Sequence, residues 1–135
     1  GFRIDTEDGH SIGIATDLGY ITDQVRTGLA GCDLAMLESN YDSAMLQCSA
    51  YPYYLKRRIS GRHGHLENQE CASQLAELAQ KGTKRFVLCH LSKENNMPEI
   101  ALQTVYAKMA EVGIGAAEFS LQAARRSEPS PVVAL

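Results

Sequence analysis

Four polar side chains that could do acid–base or metal chemistry fall at the ends of predicted strands or just before a predicted helix. Asp17 and Glu38 close apolar runs, His90 ends a third run, and His65 stands just before a helical pattern. The carboxyl ends of strands are where α/β proteins place their ligands. Convergence of several such groups on one sheet edge therefore favours a functional site.

Each of these residues also has a structural interpretation. The carboxylate of Asp17 can bridge two cations, or it can form a helix cap or Asx turn. The imidazole of His90 suits zinc or manganese, but a histidine after an apolar strand can equally be a hydrogen-bonded structural residue. His65 could give a proton to a developing charge, although its position alone does not require this. The spacing leaves these alternatives open.

The elements that would position these residues alternate between strands and helices. The chain has 135 residues, enough for a single domain with its own core. The predicted strands are 2–6, 11–16, 33–38, 84–90, 116–123 and 131–135, and the predicted helices are 22–30, 42–46, 53–59, 67–81 and 98–112. We summarise the order as β-β-α-β-α-α-β-α-β-β, which predicts an α/β layered fold over residues 1–135.

Turn and cap residues mark several of these boundaries. Asp8-Gly9 between two β-rich runs predicts a hairpin. Thr22 and Asp42 are predicted N-caps, and Pro98 is predicted to open a helix. The sequence thus indicates where most elements begin, independently of their apolar patterns.

Charge and aromatic content restrict the choice of partners. The formal net charge is −3, so no global basic field attracts nucleic acid, and a polyanion would need a local patch. The most basic stretch is Lys56–Arg58 with Arg62 and His63 close behind, and a solvated helix face is the alternative interpretation. The nearby aromatic group consists of Tyr51, Tyr53 and Tyr54. It is either a packing cluster or a platform for nucleobases.

The cysteines indicate a reducing compartment. There are four, at 32, 48, 71 and 89, and none forms a CxxC pair. Cys32, Cys71 and Cys89 lie in apolar or helical surroundings, where a free thiol behaves as a small hydrophobe. We therefore expect a cytoplasmic protein without membrane spans. The abrupt start at Gly1 leads us to expect a piece of a longer chain.

Five motifs together resemble the C-terminal half of metallo-β-lactamase-fold hydrolases. The chain is most similar to the YycJ/WalJ-like group, which is related to ribonuclease Z and ribonuclease J. The motifs are Thr16-Asp17-Leu18-Gly19-Tyr20, Glu38-Ser39-Asn40-Tyr41-Asp42, the stretch from Tyr51-Pro52 to Arg58, Gly64-His65-Leu66, and His90-Leu91-Ser92-Lys93-Glu94-Asn95-Asn96. Their shared order and spacing make the resemblance more specific than any single motif.

The resemblance implies a fold and a set of roles. It implies half of a four-layer αβ/βα sandwich, with a mixed sheet and flanking helices, and two divalent metal ions, zinc or manganese, in the complete protein. Asp17 corresponds to the family's bridging aspartate and His90 to its late histidine ligand. His65 corresponds to a histidine near the scissile phosphate, which would be catalytic. Tyr41 stands where the family has a histidine, and the HxHxDH cluster is absent from this chain.

Two functions follow from the resemblance. In the first, the full-length parent is a two-metal phosphodiesterase, a 5′-to-3′ exonuclease on DNA rather than RNA, with a metal-bound hydroxide as nucleophile. This chain alone would supply only part of the ligands and would be inactive. In the second, the chain is a catalytically incomplete half-domain that pairs with a missing N-terminal half or with a second copy of itself.

Overall fold

A single five-stranded sheet organises the molecule, for which a computed structural model describes residues 1–135. The elements in chain order are β1 (Phe2–Asp5), β2 (Ser11–Ala15), α1 (Asp23–Leu29), β3 (Leu34–Glu38), α2 (Ser43–Cys48), α3 (Tyr53–Ile59), α4 (Asn68–Gln80), β4 (Arg85–Cys89), α5 (Pro98–Glu111) and β5 (Ser120–Ala123). The strands lie in the order β1-β2-β3-β4-β5.

The sheet is mixed, and its direction changes once. β1 pairs antiparallel with β2, and Gly9 takes the positive φ of 90° that the tight connection requires, which confirms the predicted hairpin. The pairs β2–β3, β3–β4 and β4–β5 are parallel. Parallel strands end at the same edge of a sheet. The residues that follow β2, β3 and β4 therefore meet at one edge.

Helices cover one face of the sheet. Strand register places Gly13, Ala35 and Phe86 in one cross-strand row, and Ala15, Leu37 and Leu88 in the next. The core on this face combines those strand residues with side chains of α1, α4 and α5: Leu29, Leu75, Leu78, Val105 and Met109, among others. The predicted α/β fold, one sheet with flanking helices as in half of a layered sandwich, is confirmed.

The opposite face of the sheet is apolar and only partly covered. Register places Phe2, Ile14, Met36 and Val87 side by side in one row of this face. Phe2 is 76% exposed, and Ile14 and Met36 are half-buried. Val87 is buried, so the exposed part of the row is its Phe2 end, with Ile14 and Met36 partly accessible beside it. This row is a candidate surface for another protein layer.

Helix boundaries follow the predicted caps. The side-chain oxygen of Thr22 accepts the amide N–H of Val25, and that of Asp42 accepts the amide N–H of Met45. Pro98 opens α5, as predicted. None of the helices is long and apolar enough to cross a membrane.

The summarised element order and the last strands differ from the structure. That order has two helices between β3 and β4, whereas the chain has three, α2, α3 and α4, one at each of the predicted ranges 42–46, 53–59 and 67–81. Residues 131–135 form no strand, and the strand predicted over 116–123 is confined to β5. Pro131 has no N–H to give to a strand ladder, and Val132 is 96% exposed. The tail is held instead by the Gln122 side-chain amide, which donates to the Pro131 carbonyl at 3.1 Å.

The reactivity of the four cysteine thiols should show which of them are buried in the core. All four cysteines are free; Cys32, Cys71 and Cys89 are buried, whereas Cys48 is exposed. Burial raises the pKa of the Cys71 thiol, and burial and then the Glu38 charge raise that of Cys89 to about 12. Because the thiolate is the reactive form, iodoacetamide near neutral pH should modify Cys48 only, and all four after unfolding. Mass spectrometry of peptides would read this out; rapid native labelling at Cys71 or Cys89 would contradict the packing.

Candidate functional site

The four polar residues singled out from the sequence meet at the carboxyl edge of the sheet. Asp17 follows β2, Glu38 ends β3 and His90 follows β4, while His65 comes from the segment between α3 and α4. One possible ligand atom from each residue lies within 4.8 Å of the others. The parallel pairing of three adjacent strands brings the first three together. His65 is added by tertiary folding of the α3–α4 connection.

Glu38 is at the centre of this cluster and is fully buried. Its Oε1 lies 2.8 Å from Nδ1 of His65 and 2.7 Å from Nδ1 of His90. Its Oε2 accepts the backbone N–H of Leu18 at 2.7 Å and that of Leu66 at 3.4 Å. A buried carboxylate is tolerated when its oxygens are satisfied in this way.

This arrangement determines which nitrogen of each ring carries hydrogen. An ionised carboxylate can only accept hydrogen bonds, so both His65 and His90 donate Nδ1–H to Glu38. In the neutral rings, Nε2 then keeps the lone pair, which is the form that binds a metal ion or accepts a proton. Carboxylates behind metal-binding histidines commonly fix the tautomer in this manner. Glu38 is therefore placed to orient both imidazoles.

Asp17 approaches the two histidines from the solvent side. Its Oδ1 lies 3.8 Å from Nδ1 of His65 and 3.9 Å from Nδ1 of His90. The side chains of Asp17 and His90 are exposed, by 69% and 43%, whereas that of His65 is partly buried. The two rings meet edge to face, with centroids 5.2 Å apart. The cluster is closed by Glu38 on the inner side and open on the outer side.

The backbone is strained at two of these residues. Asp17 has φ 57° and His90 has φ 54°, and no other non-glycine residue has a positive φ. This conformation costs on the order of 1–3 kcal/mol at each position and persists only where the surrounding structure imposes it. His90 directly follows β4 and Asp17 comes two residues after the end of β2, so both turns lie at the same sheet edge. Such strain is typical of functional sites.

Two glycines allow the site loops to pack closely. A Cβ added to Gly19 would lie 2.0 Å from the carbonyl oxygen of Arg62, and one added to Gly64 would lie 2.0 Å from that of Ile59. The amide N–H of His65 donates to the same Ile59 carbonyl at 2.8 Å. The loop that carries Asp17 is thereby pressed against the segment that carries His65. The sequence alone did not reveal this contact.

A buried polar network that local sequence patterns do not predict lies beneath this edge of the sheet. The Asn40 side chain donates to the His90 carbonyl at 2.6 Å and so holds the strained turn. Asn96 donates to the carbonyls of Ser39 and Asn40 at 2.9 and 3.1 Å and pairs with Asn68 through both side-chain amides. The signal was present in the polar triplet Glu38-Ser39-Asn40, which follows an apolar strand directly. Asn96 is therefore a structural residue of the loop.

Tyr41 lies outside the cluster. Its side chain is buried, and its backbone forms an isolated bridge with Glu67. Burial, followed by the charges of Glu67, Glu70 and Glu38, raises the pKa of the Tyr41 phenol to about 12. The phenol is thus protonated at neutral pH and is a poor metal ligand. Tyr41 packs in the connection to α4 instead.

The remaining predicted candidates lie elsewhere. His10 is paired with Asp33, with Nδ1 3.6 Å from Oδ2, at the opposite end of β2. His63 is exposed and is not part of the cluster. Tyr53 and Tyr54 are exposed, so the interpretation of the tyrosines as a packing cluster is wrong for these two.

The donor set fits part of a divalent metal centre. Carboxylate oxygen and imidazole nitrogen are ligands that zinc and manganese accept. Asp17, His65 and His90 offer three such donors, because Glu38 is already occupied by four N–H groups. Zinc sites need three or four donors, and a pair of metal ions needs more. The cluster therefore resembles one side of such a centre.

Comparison with known proteins gave consistent matches. A family model described as a beta-lactamase superfamily domain matches residues 1–91. The chain is 36% identical over 107 residues to exodeoxyribonuclease YycJ of Bacillus anthracis, covering 79% of this chain and 40% of that protein. It is 34% identical over 109 residues to exodeoxyribonuclease WalJ of Streptococcus pneumoniae serotype 2, covering 81% and 40%. The chain thus spans about 40% of the length of these curated relatives. No solved structure matched significantly.

Proposed function

The chain belongs to the beta-lactamase superfamily, and from this premise we propose that it is the C-terminal portion of a metal-dependent phosphodiesterase that degrades DNA from the 5′ end. Two relatives that it matches are named exodeoxyribonucleases, and the chain spans about 40% of their length. We further propose that residues 1–135 are one structural unit of that enzyme. The free cysteines are consistent with a cytoplasmic location.

The observation that carries this proposal is the single Glu38 oxygen shared by His65 and His90 beside Asp17. We assign Asp17 and His90 as metal ligands and His65 as the catalytic proton donor. Bound divalent ions, zinc or manganese, would supply an activated water and neutralise charge on the phosphate. Glu38 holds the His65 ring, and a protonated ring could then give its proton to the leaving oxygen of the DNA strand.

Donors outside this chain are required for the complete site. One carboxylate and one or two imidazoles cannot hold a pair of cations. The exposed side of Asp17 is open to additional ligands. We propose that these come from the part of the polypeptide that corresponds to the remainder of the relatives' length.

Activity after metal removal and reloading tests the proposal. The protein expressed from its full coding sequence would be treated with chelator, reloaded with zinc or manganese, and given 5′-phosphorylated DNA labelled at either end. We expect metal-dependent release of nucleotides from the 5′ end, and none after chelation. Full activity in chelator, or release from the 3′ end only, would contradict the proposal.

A second candidate function is a pairing module without its own catalysis. The partly covered row of Phe2, Ile14 and Met36 favours it, because an apolar sheet face needs a partner layer. The partner would be an N-terminal half or a second copy of the chain. Light scattering of the 135-residue chain distinguishes the cases: a monomer at high concentration would argue against self-pairing.

A further inference from the structure

The exposed aromatic and basic side chains around α3 form a surface that the roles assigned above do not use. We call it the α3 patch and define it as Tyr53, Tyr54, Arg57, Arg58 and Arg62. Tyr53 is 75% exposed and Tyr54 is 73% exposed. Aromatic rings usually bury much of their area in a core or an interface. Two adjacent exposed rings on a well-formed helix indicate a binding surface.

The patch is also the most basic part of the chain. Residues 43–66 contain no Asp or Glu, and they carry four of the thirteen Lys and Arg residues of a chain whose net charge is −3. Arg57, Arg58 and Arg62 are exposed. Cations without nearby acids attract a polyanion such as a phosphate backbone. The overall negative charge therefore conceals a local positive surface.

Each exposed ring of α3 is followed four residues later by an arginine, so that a ring and a cation share one side of the helix. The Arg57 guanidinium lies 6.0 Å from the centre of the Tyr53 ring, four residues earlier. Tyr54 and Arg58 have the same spacing, which places them on a common side of the helix. Each pair combines a stacking surface with a phosphate-binding cation. This is the combination used by proteins that bind single strands.

The patch is physically continuous with the site. The Arg62 guanidinium lies 4.7 Å from the centre of the Tyr20 ring and donates to its hydroxyl at 3.1 Å. Tyr20 belongs to the loop of Asp17, and Gly19 of that loop is pressed against the Arg62 carbonyl. His65 follows three residues after Arg62. A strand lying on α3 is therefore directed toward the Asp17–His65 side of the cluster.

We propose that the α3 patch binds single-stranded DNA and guides the strand into the site, an inference that rests on the proposed nuclease function. Bases in a duplex are stacked on one another and cannot stack on Tyr53 and Tyr54. An unpaired strand offers both its base faces and its phosphates. The patch thus selects the unpaired end of the substrate, while the metal cluster carries out hydrolysis.

Direct binding tests the aromatic part of this inference. The protein expressed from its full coding sequence would be titrated with a fluorescent oligothymidine of about 12 nucleotides, in chelator to prevent cleavage. The double variant Tyr53→Ala/Tyr54→Ala should bind at least about tenfold more weakly, the lower end expected for loss of one or two stacked bases. The matched variant Tyr53→Phe/Tyr54→Phe keeps both rings and should bind within about twofold of wild type.

The salt dependence of the same titration tests the basic part. Arg57→Ala/Arg58→Ala should reduce the slope of log affinity against log salt by about 1.4, close to 0.7 for each phosphate contact. The control Lys81→Ala/Lys84→Ala removes two exposed cations at the opposite edge of the sheet and should leave the slope unchanged. Equal effects of the two double variants would show that only net charge matters, and would overturn the inference.

Hydrolysis of a small diester separates this inference from the proposed function. Bis(4-nitrophenyl) phosphate contains no strand, so the metal cluster alone should act on it. The Tyr53→Ala/Tyr54→Ala variant should cleave it like wild type and lose efficiency on single-stranded DNA through a higher KM. A wild-type protein that cleaves neither substrate refutes the nuclease function. Suppose that the wild-type protein cleaves both substrates. The α3 patch is then refuted if the Tyr53→Ala/Tyr54→Ala variant binds single strands like wild type. It is also refuted if that variant loses as much cleavage efficiency on duplex DNA as on single-stranded DNA.

Discussion

Replacing His65 with alanine should slow DNA cleavage by about 10²- to 10⁴-fold, the usual contribution of a positioned general acid, while metal content stays near that of wild type. The expected separation of rate from metal binding follows from the roles proposed for the two histidines. His90→Ala should instead lose metal together with activity, because it removes a proposed ligand. The comparison matters because both rings share the same Glu38 oxygen, at 2.8 and 2.7 Å.

The two histidines have the same hydrogen bond to Glu38, so the experiment decides which of them binds metal and which donates a proton. Metal stoichiometry by mass spectrometry and single-turnover rates would be measured on the protein expressed from its full coding sequence. His63→Ala is the matched control, since His63 is exposed, lies two residues away and is not in the cluster. If His65→Ala lost metal as His90→Ala does, His65 would be a ligand and its assignment as proton donor would be wrong.

Local sequence signals were enough to predict most of the fold. Apolar runs and caps located β2, β3, β4, α4 and α5, since these elements bury regular apolar faces in one core. The final strand failed because residues 131–135, although apolar in composition, begin with a proline that lacks an N–H and form no backbone ladder with the edge strand β5. The motif resemblance was confirmed by the family match over residues 1–91.

The site was predictable where it depends on strand ends and unpredictable where it depends on tertiary contacts. Asp17, Glu38 and His90 follow three strands that proved to be parallel neighbours, so their meeting at one edge follows from topology. The position of His65 depends on the α3–α4 connection. The sequence suggested Glu38 only as a further polar group, because nothing local shows that a carboxylate will be buried between two imidazoles.

Replacing Glu38 with glutamine should weaken metal binding or lower the stability of the protein, because an amide cannot satisfy four N–H donors. The carboxylate accepts Nδ1–H from both histidines on Oε1 and the amides of Leu18 and Leu66 on Oε2. If the amide nitrogen faces the histidines, the rings must change tautomer and lose the Nε2 lone pair. If it faces the backbone, a buried N–H is left without an acceptor at a cost of about 1–3 kcal/mol.

Both outcomes for Glu38→Gln are measurable. We expect metal affinity to fall by about 10- to 100-fold, as for other carboxylates behind metal-binding histidines, or the metal-free protein to unfold at lower denaturant. Metal titration and urea unfolding of the protein expressed from its full coding sequence would show which orientation the amide takes. A variant with wild-type metal affinity and wild-type stability would show that Glu38 does not orient the histidines.

Glu67→Gln is the matched control because it removes a partly buried carboxylate that is not in the cluster. Burial, followed by the charge of Glu70, raises the pKa of the Glu67 carboxyl above 4.5. Folding therefore disfavours its ionised form, so the contribution of Glu67 to stability falls as pH rises through the ordinary carboxyl range. Glutamine removes that charge and should leave stability at neutral pH unchanged or slightly higher. We therefore expect Glu38→Gln to lower stability and Glu67→Gln to leave it unchanged or raise it slightly. The difference arises because Glu38 has four hydrogen-bond donors around its charge, whereas the charge of Glu67 is disfavoured by its surroundings.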